Sequence, residues 1–132
     1  MTKVGEHVTL DIIGTTKEYD PSLYEKVIHD IAKAAKVTIL NISKYKFEPQ
    51  GFTILALLAE SHISFHTFPE KGIISFDFFT CGKVNPSIAI DIIKKEFKHI
   101  VALTLTSQKI WLVVQRMMLM AHRCMTKQWQ QR

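Results

Sequence analysis

Residues 59–82 read AESHISFHTFPEKGIISFDFFTCG and concentrate Ser61, His62, His66, Glu70 and Cys81 in one short stretch. A hydroxyl or thiol with imidazoles close by is the raw material of covalent catalysis, in which an adjacent base strips a proton from the attacking group. Taken singly, each residue has a plainer reading. Cys81 alone is more often a small buried hydrophobe than a reactive thiol. A serine after Glu60 reads as a turn residue, and a lone strand histidine as a structural one. Composition alone leaves a serine or cysteine hydrolase and a purely structural segment both open.

Order and spacing carry more. Ala59-Glu60-Ser61-His62, His66-Thr67-Phe68-Pro69-Glu70 and Phe79-Thr80-Cys81-Gly82 follow one another in fixed register, with Phe47, Pro49 and Gly51 upstream and Gly5 and His7 near the start. This pattern spans residues 4–104 and closely resembles the prokaryotic S-adenosylmethionine decarboxylases, the pyruvoyl enzymes of polyamine synthesis. The resemblance implies that Glu60–Ser61 is a self-processing bond, cut to give residues 1–60 and 61–132, and that Ser61 becomes the pyruvoyl cofactor. By the same resemblance His66 moves protons during processing, assisted by the Thr53 hydroxyl. Cys81 is the catalytic proton donor, Phe47 and Phe68 stack on the adenine, and Glu70 binds the ribose hydroxyls. Two positions depart from the family: Phe68 stands where tryptophan is usual, and Thr53 where serine is common. Each keeps its character, an aromatic face and a hydroxyl, although phenylalanine is the weaker partner for a cation.

The chemistry suits these residue types. Decarboxylating an α-amino acid requires a sink for the electrons left on Cα, which no ordinary side chain provides. A pyruvoyl carbonyl, joined to the substrate amine as a Schiff base, is such a sink. Serine can become one: its hydroxyl attacks the preceding carbonyl, the amide becomes an ester, and loss of the Cα proton expels the Glu60 carboxylate. Hydrolysis of the resulting dehydroalanine releases its nitrogen as ammonia and leaves the keto group. Histidine fits the proton step and a thiol the later protonation. The expected substrate is S-adenosylmethionine, the product an aminopropyl donor for spermidine, and no metal is expected. Relatives acting on arginine or ornithine share the pyruvoyl motif, but Glu70 and the two aromatics favour a nucleoside-bearing substrate. A non-enzymatic copy that binds a partner is opposed by the intact Glu60, Ser61, His66 and Cys81.

The elements that must hold these residues are readable from periodicity. Val4–Ile13 reads as a strand. Asp20-Pro21 opens a helix of about four turns, with Leu23, Val27, Ile28, Ile31 and Ala34 at helical spacing. Strands follow over 37–47, 52–59, 62–68 and 73–80, the third of the chain's strands (52–59) apolar enough to be buried. Turns are expected at Pro49-Gln50-Gly51 and Pro69–Gly72. Asn85-Pro86 opens a second helix with Ile88, Ile92, Ile93 and Phe97 on one face, and 100–106 is a last strand. The order predicts an α+β two-layer sandwich, with a mainly antiparallel sheet and two helices on one face.

Strand geometry adds a constraint. A turn centred near residue 71 sets Ser61 opposite Cys81, and a turn at Glu60–Ser61 sets Thr53 opposite Phe68 with His66 nearby. A straight strand then separates His66 from Ser61 by roughly 17 Å, too far for proton transfer. A two-fold homodimer would unite them, with Ser61 and Cys81 from one subunit and Thr53, His66, Phe47 and Glu70 from the other. The family resemblance implies the same sharing.

The remaining composition bounds the class. With 132 residues, 47% hydrophobic and 22% charged, the chain fits one soluble globular domain. Its net charge of +5 belongs to the C-terminal segment. Residues 1–106 balance, whereas 107–132 hold Lys109, Arg116, Arg123, Lys127 and Arg132 and no acid, which is weak support for nucleic acid. That segment is expected as a basic, Met-rich helical extension to a 1–106 catalytic domain, too short in its apolar stretch to span a bilayer. Cys81 and Cys124 make no disulfide framework, and no signal peptide is read at the start; both predict a cytoplasmic protein.

Overall fold

Asp20 starts the first helix as anticipated. Its Oδ1 accepts the Ser22 N–H at 2.8 Å, Pro21 takes the first helical position, and α1 runs Pro21–Ala35. Tyr24, Val27, Ile28, Ile31 and Ala32 form its buried stripe, and Lys36 ends it in the left-handed conformation. The computed structural model describes residues 5–15, 18–81, 83–97 and 102–109.

Within them the elements run β1 (Gly5–Ile13), α1, β2 (Ile39–Lys46), β3 (Phe52–Leu58), β4 (Ser61–Phe68), a short 3-10 turn (Pro69–Lys71), β5 (Ile73–Cys81), α2 (Ile88–Glu96) and β6 (Ala102–Lys109). The strands form one sheet in the order β2-β3-β4-β5-β1-β6, every neighbouring pair antiparallel. This is the predicted two-layer α+β sandwich.

One face of the sheet meets both helices. Val8, Leu10 and Ile12, then Ile54, Ala56 and Leu58, then Ile63 and Phe65, then Ile74, Phe76 and Phe78 alternate inward and are buried. Phe65 sits at the centre, its ring 4.9 Å from that of Phe76 and 5.4 Å from that of Tyr24. Burial of Tyr24 pushes its phenol well above the usual range, so the hydroxyl stays neutral. The inward face of α2 is Ala89, Ile93 and Phe97; Ile88 and Ile92 are only partly covered.

Among the described residues no element covers the other face of the sheet, and β3 is buried on one side only: Leu55 and Leu57 are 44% and 52% exposed. β6 extends past the expected end at Thr106. Ser107, Gln108 and Lys109 pair with Val8, His7 and Glu6, because β1 offers them a ladder; the expected helix does not begin at Ser107. The rest of the extension, with Cys124, and Gly82 of the motif lie outside the described residues.

Candidate active site

The Glu60–Ser61 peptide lies where a tight turn delivers the chain into β4. Ala59 and Glu60 make the turn, and Leu58 pairs with Ser61 to close it. Ser61 has φ 149°. A side-chain-bearing residue rarely adopts that backbone, at a cost of about 1–3 kcal/mol. Two anchors hold the strained peptide. The Cys81 N–H donates to the Glu60 carbonyl oxygen at 3.0 Å, and the Glu60 side chain accepts the Thr38 N–H at 3.0 Å. The first of these bonds polarises the carbonyl that the Ser61 hydroxyl would attack.

Ser61 and Cys81 border a hollow of about 570 Å³ on the uncovered face, with Leu55, Leu57, Glu60 and His62. Ser61 is half-buried and Cys81 exposed. Gly5 faces Cys81 across β1 and β5, where an added Cβ would come within 2.8 Å of the Thr80 carbonyl oxygen. That close approach requires glycine.

A chain of polar groups leads away from Ser61. Its hydroxyl lies 3.3 Å from His62 Nδ1, and His62 Nε2 lies 3.0 Å from Asp77 Oδ2. His7 Nε2 reaches the same oxygen at 2.8 Å, and the Ser64 hydroxyl donates to Asp77 Oδ1. Burial would raise the Asp77 pKa, but the hydrogen bonds from Ser64, His7 and His62 outweigh it and hold the carboxyl below its ordinary 3.8. Donor atoms of His7, His62 and Asp77 lie within 4.8 Å of one another, a spacing a metal ion could use. In this arrangement both histidines are already hydrogen-bonded to Asp77.

The second group occupies the far end of the same strands. Thr53 pairs with His66, and Thr53 Oγ1 lies 3.0 Å from His66 Nδ1. Both border a second hollow of about 550 Å³, which shares the wall formed by Leu55 and His62 with the first. Phe47 and Phe68 are 47% and 39% exposed, and Glu70 is exposed in the 3-10 turn that follows β4. Phe47 packs edge-on against Tyr45, and Lys71 Nζ sits 5.9 Å over the Phe68 ring.

A single chain therefore brings together Glu60, Ser61 and Cys81, and separately Thr53 and His66, with Phe47, Phe68 and Glu70 following in the loop after β2, at the end of β4 and in the 3-10 turn. Two registers differ from expectation. Ser61 lies opposite Thr80, not Cys81, because the 3-10 turn closes on the Phe68–Ile73 pair and centres the hairpin between residues 70 and 71. Thr53 lies opposite His66, not Phe68, because the turn is Ala59-Glu60. Sequence reasoning missed His62, Asp77, His7 and Ser64 as a connected set. The available signal was Asp77, a carboxylate inside the apolar run Ile73–Cys81.

These features define a two-layer α+β protein with a strained serine peptide at the mouth of an open sheet-face hollow, backed by a serine–histidine–aspartate chain. Residues 6–106 match the family described as S-adenosylmethionine decarboxylase, and the chain belongs to that family. It is 42% identical over 90 residues to the S-adenosylmethionine decarboxylase proenzyme of Brevibacillus brevis, covering 66% of this chain and 68% of the relative. It is 43% identical over 96 residues to the proenzyme of the same name from Prochlorococcus marinus, covering 70% and 77%. The crystal structure of the adenosylmethionine decarboxylase from Aquifex aeolicus superposes with a TM-score of 0.72 at 28% identity, covering 83% of this chain and 92% of that one.

Proposed function

We propose that this protein is a self-processing decarboxylase of S-adenosylmethionine that supplies the aminopropyl donor for spermidine. Family membership across residues 6–106 supports the reaction. The observation that carries the self-processing is the Glu60–Ser61 peptide, with its serine at φ 149° and its carbonyl oxygen hydrogen-bonded to the Cys81 N–H.

The residues fit a pyruvoyl group at position 61. The serine opens onto a hollow of about 570 Å³ and has a thiol beside it. Once made, the pyruvoyl group supplies a keto carbon for the substrate amine and takes up the electrons released as carbon dioxide leaves. The chain's own residues do the rest. The Ser61 hydroxyl attacks the Glu60 carbonyl, whose developing negative charge the Cys81 N–H stabilises. Removal of the Ser61 Cα proton, assigned to His66 with Thr53 holding its ring, expels the Glu60 carboxylate. Cys81 returns a proton to the substrate Cα. Phe47 and Phe68 sandwich the adenine, and Glu70 accepts hydrogen bonds from the ribose hydroxyls.

His66 and Ser61 are five residues apart on β4, roughly 17 Å along a strand. We assign completion of each site to a two-fold partner whose β4 runs antiparallel across the uncovered face, bringing its own Thr53–His66 pair to Ser61. The exposed Leu55 and Leu57, flanking the hollows on that face, are the apolar surface such a dimer would bury. Among the described residues no helix is long and apolar enough to cross a membrane, and the protein is assigned to the cytoplasm.

Intact-mass spectrometry of purified protein tests the processing. Two fragments, 1–60 and 61–132, are expected, the second lighter than its serine form and reducible by borohydride. Release of labelled carbon dioxide from S-adenosylmethionine, arginine and ornithine, measured in parallel, tests the substrate. A folded chain that stays whole after prolonged incubation refutes the processing. Turnover of arginine or ornithine in place of S-adenosylmethionine refutes the substrate.

A further inference from the structure

The His62–Asp77 pair is not used by the mechanism above, yet it touches the reacting hydroxyl. In an ideal strand neighbouring side chains point to opposite faces. Here the unusual φ at Ser61 breaks the alternation, and its hydroxyl meets the ring of the next residue at 3.3 Å. The far nitrogen of that ring faces a carboxylate. Two unprotonated acceptors 3.0 Å apart would repel, so Nε2 carries the proton and donates it to Asp77 Oδ2. A neutral His62 then has its lone pair on Nδ1, facing the Ser61 hydroxyl. His7 and Ser64 donate to the same carboxylate, which fixes Asp77 in place from β1 and β4. Aromatic edges hold the rings: His7 and His62 centroids are 6.3 Å apart, and each lies about 6 Å from Phe79, at 5.9 Å and 6.1 Å.

The geometry points to His62 as the base that starts self-processing in cis, with Asp77 as the residue that positions it and sets its tautomer. The inference rests on the self-processing reading and divides its proton transfers between two histidines. As Ser61 Oγ bonds to the Glu60 carbonyl carbon, its proton passes to His62 Nδ1. When the Glu60–Ser61 C–N bond breaks, the imidazolium returns that proton to the departing Ser61 nitrogen, which becomes a free amine. The product is the Glu60 ester, and no other reactant is consumed. His66 acts only afterwards, on the Cα proton. The arrangement has the logic of a serine–histidine–acid triad turned on the chain's own peptide.

Hydroxylamine separates the two steps, because it cleaves the ester but not the amide. The chains are made by cell-free translation and followed by gel and mass spectrometry. His62→Asn, which keeps a hydrogen-bonding group but removes the base, is expected to slow cutting by about a hundredfold or more. Its uncut chain should resist hydroxylamine, and added imidazole should restore cutting. His66→Ala should instead accumulate chain that hydroxylamine cleaves. Asp77→Asn should slow cutting less, and the His62→Asn/Asp77→Asn chain should be no slower than His62→Asn alone, since Asp77 acts through His62.

The tautomer is read independently, by proton–nitrogen correlation spectra of the uncut Ser61→Ala chain, which keeps the network. His62 should carry its proton on Nε2, and Asp77→Asn should shift it toward Nδ1. Wild-type cutting in the His62→Asn chain, a hydroxylamine-sensitive ester in it, or an Nδ1–H tautomer in the Ser61→Ala chain overturns the proposal. Those results leave self-processing standing if the unaltered chain is cut; an unaltered chain that is never cut refutes self-processing itself.

Discussion

Co-expression of a Ser61→Ala chain with a His66→Ala chain should restore activity that neither has alone. Random pairing yields mixed dimers in about half of the population. In a mixed dimer one site joins the two altered residues and is dead. The other joins a native Ser61 from the His66→Ala chain to a native His66 from the Ser61→Ala chain. One site in two is whole in about half of the dimers, so decarboxylation should reach about a quarter of that of unaltered protein at equal total chain. Mass spectrometry gives a second reading. About half of the His66→Ala chains should be cut in the mixture, and no Ser61→Ala chain should be. The basis is distance. Thr53 Oγ1 holds His66 Nδ1 at 3.0 Å on one hollow, while Ser61 borders the other. A proton transfer requires about 3 Å, or one bridging water, against a separation along β4 of roughly 17 Å. Absence of both activity and cut His66→Ala chain from a mixture shown to contain mixed dimers would refute sharing. So would normal cutting of the His66→Ala chain by itself.

Three further outcomes follow from the packing. Phe65→Ala, at the buried junction of Tyr24, Phe76 and Phe97, should cost about 3–5 kcal/mol, read as a lower urea midpoint in the uncut Ser61→Ala background. Gly5→Ala forces a Cβ to within 2.8 Å of the Thr80 carbonyl oxygen and 2.9 Å of the Phe79 ring. It should push β1 from β5 beside Cys81 and slow cutting, whereas unchanged cutting would mean that the strand ends yield freely. Asp77 supplies a pH signature. Its folded pKa lies below the ordinary 3.8, so its contribution is full above that value and is lost as pH falls through the lower folded one. In the Ser61→Ala background the urea midpoint should therefore drop more steeply below pH 3.8 than it does when Asp77→Asn is added. Equal slopes would remove Asp77 from the linkage.

Element types were legible because each advertises its own period. Asp20-Pro21 before Val27, Ile28 and Ile31 could only open an amphipathic helix, and the strands alternate one face against the helices. Register was less legible, since it depends on which residues a turn consumes. Taking Glu60–Ser61 as the turn instead of Ala59-Glu60 moves Thr53 from His66 to Phe68, and with it the partner that holds the histidine. The extent of β3 burial was less legible for a related reason: a run of apolar residues looks alike whether one side of the strand or both are covered. Among the described residues, Leu55 and Leu57 are apolar on a face that neither helix covers. The polar chain behind Ser61 was hidden most completely, because it depends on a backbone angle that breaks the alternation on which strand reasoning relies. Even so, Asp77 posed a question the sequence could have raised. A carboxylate amid Ile73, Ile74, Phe76, Phe78 and Phe79 must find donors or lose its charge. Ser64, paired directly opposite on β4, His62 two residues before it, and His7 two residues before Thr9, which faces Asp77 on β1, lie within reach to supply them. Since the residue just before His62 is the serine itself, one of the imidazoles that meets the acid's need for donors also meets the serine's need for a base.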